Sequence, residues 1–208
     1  MSEILARFTA LPGYGIAALI VLLLYAAQAE IRFGSRARSS RPGPADRKST
    51  LAVSASSAVP ILGFVLAMKV HSPSVAAFLP SWFRAAVMPW MPLTAWVGVV
   101  LAASGVALRM WAVLQLRHRY TRTLLIQDQH SVERGGPYRW VRHPGYLGSL
   151  LCLNGVAVAS GNWMVFVASM IATSAAYAYR IKVEDEMLSA AFGPSYDEYR
   201  RRVPALIP

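Results

Sequence analysis

The sequence predicts an all-α integral membrane protein with five transmembrane helices, the last two forming a hairpin, followed by a short cytoplasmic C-terminal helix. Of the 208 residues, 55% are hydrophobic and only 15% are charged, against about 45–50% and 25% in an ordinary soluble domain. Long stretches carry no formal charge, and a helix of about 20 residues crosses the hydrocarbon core of a bilayer. The cations are concentrated in three of the segments between or after these stretches.

Four uncharged stretches define the predicted spans. The first three have the length of single crossings: 11–29, 51–68 and 85–108. The fourth, 144–179, is too long for one crossing and contains Gly161-Asn162, a turn pair. It therefore predicts a hairpin of two helices, at about 145–160 and 163–181.

The 21 Lys and Arg residues predict the orientation of these spans. Segments 30–50, 115–146 and 180–208 hold six, six and five of them, all on one side of the membrane if there are five spans. Three fall on the other side, and Arg109 lies within the third span. This positive-inside pattern predicts an outer N-terminus and a cytoplasmic C-terminus, in the plasma membrane of a prokaryote. The membrane orientation then explains the formal charge of +11, and nucleic acid is not an expected partner.

The N-terminal stretch has a competing interpretation. Ala27-Gln28-Ala29 has the form of a signal-peptidase site. The apolar run is longer than a signal core, however, and cleavage would leave six cations outside, so we expect a retained first span.

Segment 30–50 contains Arg41-Pro42-Gly43-Pro44 and is expected to be a mobile loop. The outer connection 69–92 is rich in Pro and Trp, as is typical of a membrane interface.

We expect a single membrane domain over 1–208. Residues 1–114 would form a three-span region, and residues 115–208 a cofactor-binding and catalytic region, since polar residues concentrate there. The single cysteine, Cys152, excludes a disulfide framework and a Cys-rich zinc site. No metal is expected, because three of the histidines lack the spacing of metal ligands: His71, His118 and His130.

The junction before the hairpin predicts an anion site. Pro144 disfavours a helical conformation at His143 and suits the first position of a helix. Three backbone amides would then be free at the positive helix end: those of Gly145, Tyr146 and Leu147. Arg142 precedes them and would add a cation.

An acidic segment is predicted to face this junction. A helical hairpin returns its last residue to the side where it began, so Glu184 should lie near His143. Asp185 and Glu186 follow on the same turn. The helix should end at Gly193, and a second one should begin with the capping-box pair Ser195 and Glu198. A ligand with both a carboxylate and hydrogen-bond donors would fit between the cations and the acids.

The motif RHPGY at 142–146, followed about 40 residues later by an acidic pair and a tail of the form F-G-x-x-Y-x-x-Y-x-x-x-V-P, resembles the isoprenylcysteine carboxyl methyltransferase family. That group includes membrane phospholipid and thiol methyltransferases. The match covers residues 135–204. It implies S-adenosyl-L-methionine as cofactor, S-adenosyl-L-homocysteine as its product, and a lipophilic acceptor that enters from the bilayer.

The resemblance also assigns residues. Four of them match the cofactor-binding segment: Tyr138, Arg142, His143 and Tyr146. Leu147 joins them through the helix-end argument. Glu184 matches the first of the paired acids and Arg202 the basic residue before Val-Pro, whereas Asp185 stands where the family often has a second Glu, which leaves its role open.

Methyl transfer from a sulfonium is an in-line displacement, so the protein's share is alignment and desolvation. A carboxylate or thiolate acceptor needs only a cation, for which Arg202 and Arg109 are candidates. An amine acceptor needs a base, for which Glu184 or His143 is available.

Two alternatives stay open: a phospholipid N-methyltransferase, and a non-catalytic membrane protein that binds anionic lipid through Arg142 and residues 200–202. The oligomeric state is not predicted.

Overall fold

The computed structural model of the chain describes residues 13–39, 46–69, 77–116 and 133–207. Three of the histidines named above and the motif at 41–44 lie outside these residues. The helices of the described part are α1 Gly13–Ser39, α2 Ser49–Met68, α3 Ser81–Arg84, α4 Leu93–Leu116, a 3₁₀ helix Gly136–Arg139, α5 Pro144–Ala159, α6 Trp163–Phe192 and α7 Pro194–Arg202. No strand occurs within these ranges, which confirms the all-α prediction.

Each predicted apolar segment forms a helix over most of its length. The third is displaced along the chain: the span predicted at 85–108 is the helix Leu93–Leu116, because Pro89 and Pro92 disfavour a helix before Leu93. By length and composition, α2, α4 and α6 can each cross a membrane, while the apolar part of α1, Gly13–Ala27, and α5 are shorter. The predicted number of five crossings stays a prediction. At 1.5 Å per residue the 30 residues of α6 extend about 45 Å, well beyond a hydrocarbon core of about 30 Å. The C-terminal turns of α6 therefore project past the apolar layer.

Two helices are longer than predicted. The first continues to Ser39, ten residues beyond the predicted end at Ala29, so residues 30–39 are helical and not a loop. The second hairpin helix continues to Phe192 and not to about 181. In both cases a helix already nucleated in an apolar segment continues through charged residues, because each added residue gains a backbone hydrogen bond. The first hairpin helix, Pro144–Ala159, agrees with the prediction.

The hairpin turn forms where the sequence predicts it. Gly161 has a φ of +70°, a conformation that glycine adopts without strain. The Asn162 side chain caps α6 by accepting hydrogen bonds from the amides of Met164 and Val165 at 3.0 and 3.3 Å. The connection between α2 and α4 holds the turn, since the Met88 amide donates to the Gly161 carbonyl at 2.7 Å.

The backbones of α4 and α5 approach each other closely between residues 98–109 of α4 and residues 148–159 of α5. A Cβ placed on Gly105 would lie 2.4 Å from the backbone nitrogen of Cys152, and a Cβ on Gly155 would lie 2.4 Å from that of Ala102. Gly98 and Gly148 meet the facing helix in the same way. Small residues are the usual means by which membrane helices approach this closely. The contact fixes the register of α5 against α4.

Polar side chains join the two hairpin helices inside the apolar layer. Asn154 of α5 donates to the Thr173 hydroxyl at 3.1 Å and accepts from the Ser169 hydroxyl at 2.9 Å. All three side chains are buried. Because buried polar groups need partners, this contact selects one register of α6 against α5. The two hairpin ends are thereby brought to a defined relative position.

The break between α6 and α7 falls at Gly193, as predicted, with a φ of +53°. The predicted capping box at Ser195 is wrong, because Pro194 takes the first helical position and α7 has no side-chain cap. Arg134 instead donates to the Ser195 carbonyl and hydroxyl, at 2.7 and 3.2 Å. This contact ties α7 to the segment that leads into the 3₁₀ helix.

Candidate active site

The junction before α5 has the predicted backbone, but two of the three amides of the predicted anion site are already engaged. His143 has φ −121° and ψ 59°, outside the helical region, and Pro144 begins α5. The amides of Tyr146 and Leu147 both donate to the His143 carbonyl at 3.0 Å. These amides are therefore not free to bind a ligand, and that part of the prediction is wrong. The first turn of α5 uses these amides for its own hydrogen bonds to the His143 carbonyl.

Asp185 of α6 lies at the centre of a buried ionic cluster. Its side chain is only 3% exposed. Its two carboxylate oxygens lie 2.9 Å from Arg142 Nη2 and 2.9 Å from His143 Nε2, and the Tyr196 hydroxyl donates to the latter oxygen as well. Arg200 Nε contributes a longer contact of 3.6 Å. The residue whose role the sequence left open thus joins α5, α6 and α7.

Arg142 also holds the C-terminal segment, residues 203–205. Its Nη1 donates to the Val203 carbonyl and, at 3.0 Å, to that of Arg200. The amides of Arg142 and His143 donate to the carbonyls of Pro204 and Ala205 at 2.9 and 3.1 Å. Both Nη atoms are thus engaged within the protein. The buried Nε has no hydrogen-bond partner among the described residues.

Three tyrosines pack around this cluster. The Tyr138 hydroxyl donates to the Ala112 carbonyl at 3.4 Å, and the Tyr138 carbonyl accepts from the Tyr199 hydroxyl. Burial raises the pKa of Tyr199 to about 12. Burial and the neighbouring Asp185 carboxylate also raise the pKa of Tyr196. Both phenols remain protonated hydrogen-bond donors at neutral pH.

Glu184 lies on the opposite side of the His143 ring from Asp185. Its Oε2 is 3.6 Å from His143 Nδ1, so the two hairpin ends meet as the sequence predicts. The Tyr146 ring stacks on that of His143 at 5.4 Å between centroids, and its hydroxyl is within hydrogen-bonding reach of the Glu184 carboxylate. Glu184 Oε2 is buried, yet nothing in the described part of the chain hydrogen-bonds to it. It is an acceptor available to a ligand.

Sequence reasoning missed a second ionic contact beside the first. Arg180, which is buried, donates through Nη1 to an Asp46 carboxylate oxygen at 2.6 Å and through Nε to the Tyr146 hydroxyl at 3.0 Å. The hydroxyls of Ser49 and Thr50 also accept from Nη1, at 2.8 and 2.7 Å. Burial raises the pKa of Asp46, but the hydrogen bonds from Thr50 and Arg180 outweigh it, and the pKa lies below its ordinary value.

The available signal for this contact was weak. Asp46 is one of three acids between residues 4 and 132, and it lies just before an apolar stretch. Arg180 directly follows the last uncharged stretch and was counted as one cation of the tail. Nothing in their spacing, 134 residues apart, links the two.

The remaining predicted residues lie in different surroundings. Arg109 of α4 donates to the Ser149 hydroxyl at 2.7 Å and lies over the Tyr25 ring at 5.2 Å, in the interior between α1, α4 and α5. Leu147 is half-buried on α5. Arg202 has a side chain that is 74% exposed and pairs with Glu198 at 2.7 Å. The arginine of this segment that reaches the cluster is Arg200, two residues earlier.

The fold and the site together define a class of protein. It is a helical integral membrane protein in which the two ends of a helical hairpin enclose a buried ionic cluster, next to a carboxylate oxygen that can accept a ligand. Within the described ranges, no group of three or more His, Cys, Asp or Glu side chains could hold a metal ion. Such a site suits an organic ligand that carries charges and hydrogen-bond donors.

Comparison with known proteins narrows this class. A family model described as phospholipid methyltransferase matches residues 93–195. A probable protein-S-isoprenylcysteine O-methyltransferase of Oryza sativa subsp. indica is 33% identical over 115 residues, which are 54% of this chain and 60% of the relative. The cobalt-zinc-cadmium resistance protein CzcN of Cupriavidus metallidurans is 31% identical over 148 residues, or 71% of this chain and 60% of that protein.

The fold has a counterpart among solved structures. The structure of a eukaryotic intramembrane Ras methyltransferase, an isoprenylcysteine carboxyl methyltransferase, superposes with a TM-score of 0.58 at 22% identity, over 78% of this chain and 52% of that one. The chain is similar in sequence to protein-S-isoprenylcysteine O-methyltransferases and, over residues 93–195, to the phospholipid methyltransferase family model. It spans about 60% of the length of the two curated relatives described above. The match to the family model begins in α4, earlier than the expected 135, and ends at residue 195, before the expected 204.

Proposed function

We propose that the protein is an S-adenosylmethionine-dependent methyltransferase that methylates a lipophilic acceptor reaching the site from the bilayer. Sequence similarity to methyltransferases supports methyl transfer, and one structural observation supports the donor. Glu184 presents a buried carboxylate oxygen that, in the described part of the chain, has no hydrogen-bond partner, directly beside His143. An acceptor left without a donor in a buried position is costly unless a ligand provides one.

The described residues fit this cofactor. Its ammonium and ribose hydroxyls are donors, which suit Glu184 Oε2. Its carboxylate is an acceptor, which suits Arg142 Nε, a buried donor that has no partner among the described residues. The stacked rings of His143 and Tyr146 form an aromatic surface beside Glu184. When bound, the cofactor supplies an electrophilic methyl group on its sulfonium.

The protein itself contributes alignment and the exclusion of water. Asp185 holds Arg142 and His143 in place through two contacts of 2.9 Å, so both side chains are preorganised before the ligand arrives. Arg109, in the helical interior, is our candidate cation for a carboxylate or thiolate acceptor. Arg202 was a second candidate, but its side chain is exposed and paired with Glu198.

A binding measurement followed by an acceptor assay tests the proposal. Isothermal titration of the detergent-purified full chain with S-adenosylhomocysteine should show saturable binding. With radiolabelled donor, an isoprenylated cysteine should be methylated at its carboxylate, and the same cysteine derivative without its prenyl chain should show a higher KM because it does not partition into the bilayer. Absence of S-adenosylhomocysteine binding contradicts the proposal and leaves binding of anionic lipid as the remaining alternative.

A second acceptor class is supported by the description of the matching family model, phospholipid methyltransferase. An amine acceptor must lose a proton before attack, and Glu184 or His143 would take it. The same assay with phosphatidylethanolamine vesicles separates the two classes. If radiolabelled methyl groups appear in the phospholipid and not in the isoprenylated cysteine, the acceptor is an amine and not a carboxylate.

We further propose that the N-terminus lies outside and that the site faces the cytoplasm, in the plasma membrane of a prokaryote. The charge asymmetry of the sequence supports this orientation. Ser81 and Ser195 are exposed on opposite sides of the predicted membrane. In a Cys152→Ser background, an impermeant thiol reagent applied to intact cells should label Ser81→Cys but not Ser195→Cys. The reverse pattern would contradict the orientation.

A further inference from the structure

The second ionic contact reaches the proposed cofactor site through one hydroxyl. Arg180 Nε donates to the Tyr146 hydroxyl at 3.0 Å. The Tyr146 ring stacks on His143 with an angle of 6° between the ring planes, and its hydroxyl lies near the Glu184 carboxylate. The position of Tyr146 is therefore determined at two points: its ring by His143 and its hydroxyl by Arg180.

Arg180 is itself held from a distant part of the chain. Asp46, which is 1% exposed, accepts from its Nη1 at 2.6 Å, and the Thr50 hydroxyl accepts from the same atom at 2.7 Å. The guanidinium is rigid and planar, so binding at Nη1 also determines the direction of Nε. Asp46 and Thr50, at the start of α2, thereby orient Arg180 Nε of α6 toward the Tyr146 hydroxyl of α5.

Stability alone is a poor reason for this arrangement. Taking two charges out of water costs free energy that their attraction only partly returns, and buried ion pairs are often no more stabilising than well-packed apolar residues. Asp46 and Arg180 are both buried, at 1% and 5% exposed. What the pair provides that apolar packing would not is a directed hydrogen bond to Tyr146.

We propose that Arg180, held by Asp46, is a positioning residue for the cofactor: through its bond to the Tyr146 hydroxyl it orients the aromatic surface and the neighbouring Glu184 that receive the methyl donor. This inference rests on the proposed function, because the ligand in question is the donor. Neither Asp46 nor Arg180 needs to touch the ligand. Their effect passes through Tyr146.

A double-mutant cycle tests this inference. Arg180→Lys keeps the charge beside Asp46, but its single ammonium cannot also reach the Tyr146 hydroxyl as the guanidinium fork does. Loss of a charge-assisted hydrogen bond should weaken S-adenosylhomocysteine binding about tenfold in the parent, measured by titration calorimetry of the full chain. In a Tyr146→Phe background the same substitution should change affinity by less than about twofold, because the hydroxyl through which it acts is gone.

Further measurements separate positioning from a structural role. At saturating donor, the KM for the lipophilic acceptor should stay within about twofold of the parent in Arg180→Lys, since donor and acceptor sites do not share this contact. Should that variant fail to fold, Thr50→Val removes the hydroxyl that accepts from Arg180 and donates to Asp46, at nearly constant volume, and should weaken binding about threefold, again only when the Tyr146 hydroxyl is present. Arg47→Gln is the matched control, because it breaks the neighbouring exposed pair with Glu186 and should leave affinity unchanged.

The outcomes are distinct. Equal losses of affinity with and without the Tyr146 hydroxyl would overturn the inference, since Arg180 would then act on the fold in general. Parent-like affinity in both Arg180→Lys and Thr50→Val would overturn it as well. If the parent itself does not bind S-adenosylhomocysteine, the proposed function fails and the inference falls with it.

Discussion

The close contact of α4 and α5 makes Gly105→Ala an informative substitution. The added methyl carbon would lie 2.4 Å from the Cys152 backbone nitrogen and 2.5 Å from the Gly148 carbonyl oxygen. Both atoms belong to the backbone of α5 and cannot rotate away as the end of a side chain could. The helices would have to separate by about 1 Å to bring these contacts to 3.4 Å, the lower limit of ordinary packing.

The expected cost follows from two opposing effects. Overpacking of this kind costs about 1–3 kcal/mol, and a clash with backbone belongs at the upper end of that range. Alanine recovers up to about 1 kcal/mol through its higher helix propensity. We therefore expect Gly105→Ala to lower the free energy of unfolding by about 2 kcal/mol. The separation should also lengthen the contact of Arg109 with Ser149, now 2.7 Å, and so lower activity.

Reversible unfolding of the detergent-solubilised chain, followed by tryptophan fluorescence in increasing denaturant, measures this loss. Gly145→Ala is the matched control on α5, because its Cβ would meet only the Ala112 side chain, at 3.9 Å. We expect that variant to unfold like the parent or slightly later. If Gly105→Ala proves as stable as Gly145→Ala, the close packing of the two backbones is not what holds α5 in place.

Three further predictions concern the ionic groups. Glu184→Gln should weaken S-adenosylhomocysteine binding at least about tenfold in titration calorimetry, since it removes the charge but keeps the shape, whereas Glu186→Gln on the exposed side should have no effect. Asp185→Asn should lower the free energy of unfolding by about 3–5 kcal/mol in denaturant titration, because it leaves the buried Arg142 guanidinium without its counterion; a loss below about 1 kcal/mol would contradict the central place of Asp185. The pKa of Asp46 is lowered in the folded protein, so its stabilising contribution is present above the ordinary aspartate pKa of about 4 and is lost as the pH falls below that value. Acid unfolding curves should show this loss in the parent and not in Asp46→Asn.

Much of the architecture was predictable because its causes are local. Apolar runs, turn residues and proline each act within a few residues, and they correctly predicted the hairpin turn at Gly161, the helix start at Pro144 and the break at Gly193. The meeting of His143 with Glu184 was also predictable. It follows from the return of a hairpin to the side where it began and needs no knowledge of packing.

The assignment of roles to neighbouring side chains required the tertiary structure. Successive residues on a helix point about 100° apart, so the rotation of α6 against α5 decides that Asp185 enters the ionic cluster while Glu184 lies beside the other nitrogen of the His143 ring. The sequence pattern determines that acids lie at this end of the hairpin but not which of them points inward.

The same limit applies to contacts between distant segments. Arg200 and not Arg202 reaches Asp185, because α7 packs its tyrosine face on the cluster and turns Arg202 outward. Asp46 meets Arg180 across 134 residues, because the contact of α2 with α6 brings them together. Hydrophobic pattern and charge count predict which segments enter the membrane and on which side the cations lie. Which cation meets which carboxylate depends on how the helices rotate and cross, and that depends on packing between side chains far apart in the chain.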